Sequence, residues 1–319
     1  MRERNVRAIL ERRAELHALI RRFFAERGVL EVETPVLSEA GNTEPNIESF
    51  STAFSGPVAA GTRERWLRTS PEHALKRLLA AGVGDCYELG RVFRNGEAGG
   101  RHNPEFTMLE WYRVGFDHRR LMREASDFVG VALASKGRTA EVVERSYREL
   151  FVEGLGVDPF TAPIDALREP LAAVRIDAQG LGRDDWLDLL ITHRLQPEFP
   201  QDRITLIYDF PASQCALAKI GDCDPPVAER FEVFLGPLEL ANGYHELTDA
   251  VEQRARFERD NRRRRERGLR EVPIDARFLA ALPSLPGCAG VALGVERLLM
   301  ALDGAGDIGD VMAFPFADA

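Results

Sequence analysis

Lysine is scarce in this chain. Only Lys76, Lys136 and Lys219 occur among 42 basic residues, so 39 of those are arginine. Acidic residues outnumber basic ones, giving a net charge of −9 over 319 residues. That balance argues against a protein that lives on bulk contacts with nucleic-acid phosphates, while still permitting a local basic patch. Cysteine is also rare. Cys86, Cys215, Cys223 and Cys288 make no CxxC pair, so a reduced, cytoplasmic protein without a zinc site is expected, its cysteines acting as small core residues. No apolar run approaches the ~18–20 residues of a membrane span. Met1-Arg2-Glu3-Arg4 leads into a charged helical pattern rather than a signal-peptide core. Internal repeats and flexible linkers are missing too. What remains is an ordinary globular mixture, long enough for one large domain or two modest ones.

Apolar residues at helical spacing over 7–27 predict an amphipathic helix stopped by Gly28, followed by a strand over 29–33 and Pro35. Loops with a short strand near 50–54 fill 38–65. Pro71 is expected in the first turn of a helix running to about Ala81, capped by Ser70. Strands are expected at 86–93, 106–113, 204–209, 227–235, 237–242 and 288–294, with helices at 249–267 and Val295–Leu302. Residues 117–195 read as helical. The reading is a single α/β (α+β) domain over 1–319, an antiparallel-leaning sheet flanked by helices, with 117–195 as an insertion.

Three segments carry chemistry. Phe93 to Glu97 and Arg101 to Tyr112 form a strand–loop–strand in which Arg94 offers a rigid fork of donors suited to phosphate. Taken alone, a solvated charged hairpin explains it better. Phe231 to Leu247 places Glu232, Glu239, Asn242 and Glu246 among apolar residues. Carboxylates there are costly unless a cation meets them, and magnesium takes one or two of them together with phosphate oxygens. Solvated edge charges explain that segment equally well. Gly290 to Leu298 is a glycine-bearing strand entering a helix with Arg297 in its first turn, which suits a flat ring and an anion; a simple turn is the bland alternative.

Their order along the chain resembles the catalytic core of class II aminoacyl-tRNA synthetases. Gly28 to Pro35 is similar to the dimer-forming first motif, the strand–loop–strand with Arg94 to the second, and Gly294 to Arg297 to the third. The runs at 68–72, 102–112 and 239–250 are similar to lysyl-tRNA synthetases. The resemblance is closer still, over about 7–316, to shortened paralogues that attach (R)-β-lysine to elongation factor P.

The resemblance implies ATP and Mg2+ as cofactors, a homodimer, and activation of lysine or β-lysine as an adenylate. Arg94 and Arg297 would be catalytic, holding the α- and γ-phosphates. Arg94, Asn95, Gly96, Glu97, Asn103, Glu239, Leu240, Asn242, Gly294 and Arg297 would bind ATP, and Glu232 and Glu239 the metal. Ser70, Pro71, Glu72, Tyr112, Glu246 and Ala292 would bind the amino acid, with Tyr112 and Glu246 on its terminal ammonium. The core starts almost at Met1, so no anticodon-binding barrel precedes it and anticodon recognition is not expected; a lysine of elongation factor P is the implied acceptor. Ser70 and Ala292 stand where lysyl-tRNA synthetases usually have alanine and glycine, a remodelling suited to a β-amino acid. Gly96 displaces Glu97 by one position from the family's Arg-Asn-Glu, leaving open whether Glu97 or the Gly96 backbone meets adenine. The Arg262–Arg265 run reads as a solvated helix face before a basic contact for an acidic partner. Rival readings are a truncated tRNA-charging enzyme, a synthetase acting on a small amine, and a non-catalytic amino-acid sensor.

Overall fold

The structure, a computed structural model, describes residues 5–57 and 61–319; the leading Met1–Arg4 lies outside them. The strands are β1 (Leu30–Glu31), β2 (Leu37–Ser38), β3 (Ser51–Ala53), β4 (Glu64–Leu67), β5 (Cys86–Phe93), β6 (Glu105–Val114), β7 (Glu141–Ser146), β8 (Arg203–Pro211), β9 (Val227–Leu235), β10 (Leu238–His245) and β11 (Cys288–Gly294). The helices are α1 (Val6–Ala25), α2 (Glu72–Ala80), α3 (His118–Ala134), α4 (Tyr147–Leu155), α5 (Ile164–Arg168), α6 (Arg183–Leu190), α7 (Ala250–Glu266), α8 (Ala276–Ala281) and α9 (Val295–Asp303). They form two compact units. One takes the chain up to Gly115 together with Thr248–Ala319; the other is Phe116–Leu247.

In the first unit the strand order is β1-β5-β6-β11, antiparallel except that β1 joins β5 in parallel. A small antiparallel sheet, β2-β4-β3, accompanies it. Helix α1 begins where the Asn5 side chain accepts from the Ala8 N–H at 3.1 Å. Its buried stripe of Ile9, Leu16, Leu19, Ile20, Phe23 and Phe24 faces the sheet. Phe24 stacks on Tyr87 with centroids 4.4 Å apart and meets Trp111 edge-on at 5.3 Å. Gly28 then takes φ +66°, a left-handed turn that only glycine adopts cheaply.

In the second unit β10, β9 and β8 are antiparallel and β7 adds in parallel. Period-2 alternation along β9 puts Ala228, Arg230, Glu232 and Phe234 on one face and Glu229, Phe231 and Val233 on the other. The first face carries an apolar core in which Tyr147, Phe151, Trp186, Leu187 and Leu190 from the helical middle section pack with Phe210 and Phe234. Helix α3 packs against β8, β9 and β10 and has no residue in that core, so it covers the opposite face.

Most expected elements are present, β2, β4 and α8 are additional, and two further differences have a local cause. Residues 117–195 contain a strand, β7, because a six-residue parallel edge strand has neither a hairpin turn nor a strong alternation to announce it. Helix α2 is not capped by Ser70. Pro71 occupies the cap position, and the Ser70 Oγ accepts instead from the Glu72 N–H at 2.9 Å.

Candidate active site

Strand register in the first unit sets Glu110 opposite Glu88 on one side and Ala292 on the other, with Tyr112 opposite Cys86 and Gly290. Directly opposed residues share a face, so Glu110, Tyr112 and Ala292 line one surface. Glu110 is only 2 % exposed. A carboxylate that deep is costly unless hydrogen-bonded. Its Oε2 accepts from the Ser70 hydroxyl at 2.7 Å and its Oε1 from the Tyr112 hydroxyl at 2.8 Å. Since the Ser70 oxygen also accepts from the Glu72 amide, its proton is aimed at Glu110. Nearby carboxylates and burial have a second effect: burial first, then Asp85, Glu110 and Glu88, push the Cys86 thiol up to about 12, leaving it unreactive.

Sequence reasoning gives Glu110 no role, although an acid inside the apolar run Met108-Leu109-Glu110-Trp111-Tyr112 is the signal that finds it. It also misses Arg68, whose guanidinium pairs with buried Glu88 at 2.6 Å, and Lys76, a 1 % exposed ammonium 2.6 Å from Glu72. The Lys76 pairing bears on Glu72. One oxygen of its carboxylate, Oε1, is engaged inside the chain. Pro71 is buried beneath the start of α2.

Arg94 leaves the end of β5 and is fixed by its backbone, which donates to the Pro104 carbonyl at 2.8 Å. Its guanidinium lies over the Phe106 ring at 5.2 Å, and its Nε is buried without a hydrogen-bond partner among the described residues. Gly96 adopts φ +83°, and Glu97 folds back so that its Oε1 stands 3.7 Å from Arg94 Nη1. Asn95 is exposed and held by its backbone to Glu48. Gly294 is the cap residue of α9, where Arg297 donates from Nη2 to His102 Nε2 at 2.7 Å. Glu296 locks that turn: it is 1 % exposed, pairs with Arg13 at 2.8 Å and accepts from the Thr107 N–H at 2.9 Å. A cavity of about 490 Å³ is lined by His102, Asn103, Asp307 and Phe316 among others. Asn103 spends its amide on the backbone there, donating to Glu105 O at 2.7 Å and accepting from Phe316 N at 2.8 Å.

In the second unit, Glu232 faces Asn242 across β9 and β10. Arg230 pairs with Glu232 and donates to the Asn242 side chain at 3.2 Å. Register brings Glu239 opposite Phe234, hence onto the Glu232 face. Burial, together with repulsion from Glu239 and Asp188, pushes Glu232 up to about 7 against the pull of Arg230. Asp188, which the sequence reading leaves unassigned, is itself pushed up to about 6 by burial and held by Gln214 at 2.8 Å. Leu240 is buried in the strand, so only its backbone is placed to meet a ligand. Glu246 is buried at 2 % exposure, just past the end of β10.

The family of class II tRNA synthetases (D, K and N) matches residues 1–318. The chain belongs to that class II family. Within it, the chain is 50 % identical over 314 residues to the elongation factor P–(R)-β-lysine ligase of Proteus mirabilis, covering 97 % of this chain and 95 % of the relative. It is 50 % identical over 319 residues to the ligase of the same name from Yersinia enterocolitica, covering 98 % and 96 %. A third such ligase, from Histophilus somni, matches at 50 % over 304 residues, covering 95 % and 93 %. The resemblance read from the motifs is therefore borne out, and so is the class II fold of a mixed sheet flanked by helices, with no separate barrel among the described residues.

The first unit holds a group suited to an anion, and the second a pair of groups suited to a cation. The buried, unpartnered Arg94 Nε is a donor awaiting an acceptor. Glu232 and Glu239 share one face, an oxygen-donor pair of the kind a divalent cation takes, with Glu232 here paired to Arg230. Within the Arg262–Arg265 run, Arg264 is 0 % exposed and bonded to Glu48 at 2.6 Å, so it holds the fold, while Arg262 and Arg263 are exposed. No helix among the described residues is long and apolar enough to cross a membrane.

Proposed function

We propose that this chain is an ATP-dependent ligase that activates (R)-β-lysine as an adenylate and transfers it to a lysine side chain of elongation factor P. The observation that carries the reading is Glu110, a buried carboxylate held by Ser70 and Tyr112 and facing Ala292. A substrate ammonium meeting it gains charge-assisted hydrogen bonds, and a neutral side chain would leave a charge unpaired. Glu246 is proposed as a second acceptor for that ammonium. Ser70 and Ala292 together shape the surface for an amine one carbon further from the carboxylate than in lysine.

In the first step the substrate carboxylate attacks the α-phosphorus of ATP and pyrophosphate leaves. Arg94 holds the α-phosphate and shares its growing charge; Arg297, presented by the Glu296-locked turn, holds the γ-phosphate. Glu232 and Glu239 would hold Mg2+, which supplies charge neutralisation to the phosphates when bound. In the second step the neutral amine of the acceptor lysine attacks the mixed anhydride and AMP leaves. The whole chain is proposed to serve as a single catalytic domain in the cytoplasm. It is proposed to work as a homodimer, supported by Leu10, Leu30 and Leu37, which are about half exposed on α1, β1 and β2.

The test is to incubate the protein with ATP, α-lysine or (R)-β-lysine, and either elongation factor P or tRNA, and to weigh the products. A β-lysyl gain on the protein factor is expected. A charged tRNA beside an unmodified factor would overturn the reading.

A further inference from the structure

The sheet face that α3 covers carries a second set of ligating side chains. Glu229 lies on β9 three residues before Glu232, and strand alternation turns it to the other face. His245 ends β10 one step beyond the Tyr244–Arg230 pair, which brings it beside Glu229. His118 opens α3 directly above. One nitrogen of each histidine and one oxygen of Glu229 lie within 4.8 Å of one another.

Two observations say that the arrangement suits a ligand. His118 Nε2 meets Asp209 Oδ1 at 2.8 Å, while its Nδ1 is buried with no hydrogen-bond partner among the described residues. The residue is 8 % exposed. A carboxylate on one ring nitrogen with the other left free is how metal-bound histidines are oriented. Separately, His245 Nδ1 and Glu229 Oε2 are held in contact, one proton between them. A cation binding there would displace that proton to solvent. The strand ends are fixed by Lys219, whose N–H donates to His245 O at 2.8 Å and whose carbonyl accepts from Glu229 N at 2.9 Å. Its ammonium, 4.0 Å from Glu229, is half exposed and free to swing outward.

We propose that His118, His245 and Glu229 form a binding site for one borderline divalent cation, Zn2+ foremost, with Asp209 orienting His118. Two imidazoles and a carboxylate match zinc in its three-protein-ligand form, whereas Mg2+ prefers oxygen throughout. Bound there, the ion pins the start of α3 to the ends of β9 and β10. The cysteine pattern gave no hint of such a site because no cysteine takes part.

The experiment uses the full chain, stripped with a chelator and titrated with Zn2+ against a chromophoric competitor. One equivalent per chain is expected, weakened at least tenfold in His118→Ala and in Glu229→Gln and retained in Glu232→Gln. In the unmutated protein, Zn2+ should shift the ring-nitrogen NMR signals of His118 and His245 and leave the other four histidines unmoved, a readout independent of variant folding. The proposal is overturned if His118→Ala binds as tightly as the parent, if the equivalent is lost only in Glu232→Gln, or if the two histidine signals stay in place.

Discussion

Replacing Glu110 by glutamine keeps its volume and removes its charge. In the structure both carboxylate oxygens accept hydroxyl protons, from Ser70 at 2.7 Å and Tyr112 at 2.8 Å, at a position only 2 % exposed. The amide can still accept one of these bonds on its oxygen, while its NH2 group is forced against a hydroxyl or the substrate ammonium. Hydrogen bonds to charged groups contribute about 1.5–3 kcal/mol, so losing one to the ammonium should cost roughly 10- to 150-fold in kcat/KM for β-lysine. ATP–pyrophosphate exchange measures this directly, with β-lysine and ATP varied separately. The KM for β-lysine should rise and that for ATP should stay near the parent value. Tyr112→Phe, which keeps the carboxylate and removes one donor, should fall between parent and Glu110→Gln. The reasoning is wrong if Glu110→Gln folds, as judged by circular dichroism, and its KM for β-lysine stays within about twofold of the parent, since that is below the smallest loss the hydrogen bond allows.

Three further outcomes follow from charges elsewhere in the chain. Burial first, and then repulsion from Glu44, raises Asp260 to about 6. The folded state therefore binds this proton more tightly than the unfolded chain does, and the stability it contributes, full below about pH 4, declines as pH rises through 6. Asp260→Asn should remove that decline, so its melting temperature should gain on the parent between pH 4 and 7; a constant difference across that range would refute the assignment. Arg264→Ala removes a charge-assisted bond to Glu48 and should cost about 1.5–3 kcal/mol in a denaturant titration, whereas reversing exposed Arg262 and Arg263 to glutamate should leave stability and pyrophosphate exchange intact and slow transfer to elongation factor P. Equal loss of both activities would remove the docking role.

The sequence was most legible where one residue type repeats with a period. The expected strands at 86–93 and 288–294 coincide with β5 and β11, short apolar-rich runs bounded by turn signals. It was least legible where meaning depends on partners distant in the chain. Glu72 reads as a substrate contact, and the sequence gives no sign of its ion pair with Lys76, one helical turn on. Asn103 reads as a nucleotide contact, and the bond its oxygen accepts from Phe316, more than 200 residues away, is invisible in the sequence. Arg230 and Asp188 carry no motif at all. Arg230 acts on Glu232 from two positions away on the same face of β9, and Asp188 does so only when the helical middle section folds onto that face.

The Lys76–Glu72 pair has a consequence for an enzyme that makes an activated carboxyl group. A mixed anhydride acylates any free amine within reach, including the enzyme's own. The lysine nearest Ser70 in the chain is Lys76, and it is 1 % exposed with its ammonium clasped by a carboxylate at 2.6 Å. A protonated, paired nitrogen has no lone pair to offer. With arginine supplying nearly all the remaining positive charge, and guanidinium being a poor nucleophile, the chain presents few amines that could intercept its own product. The preference for arginine protects the acyl group for a visitor's lysine.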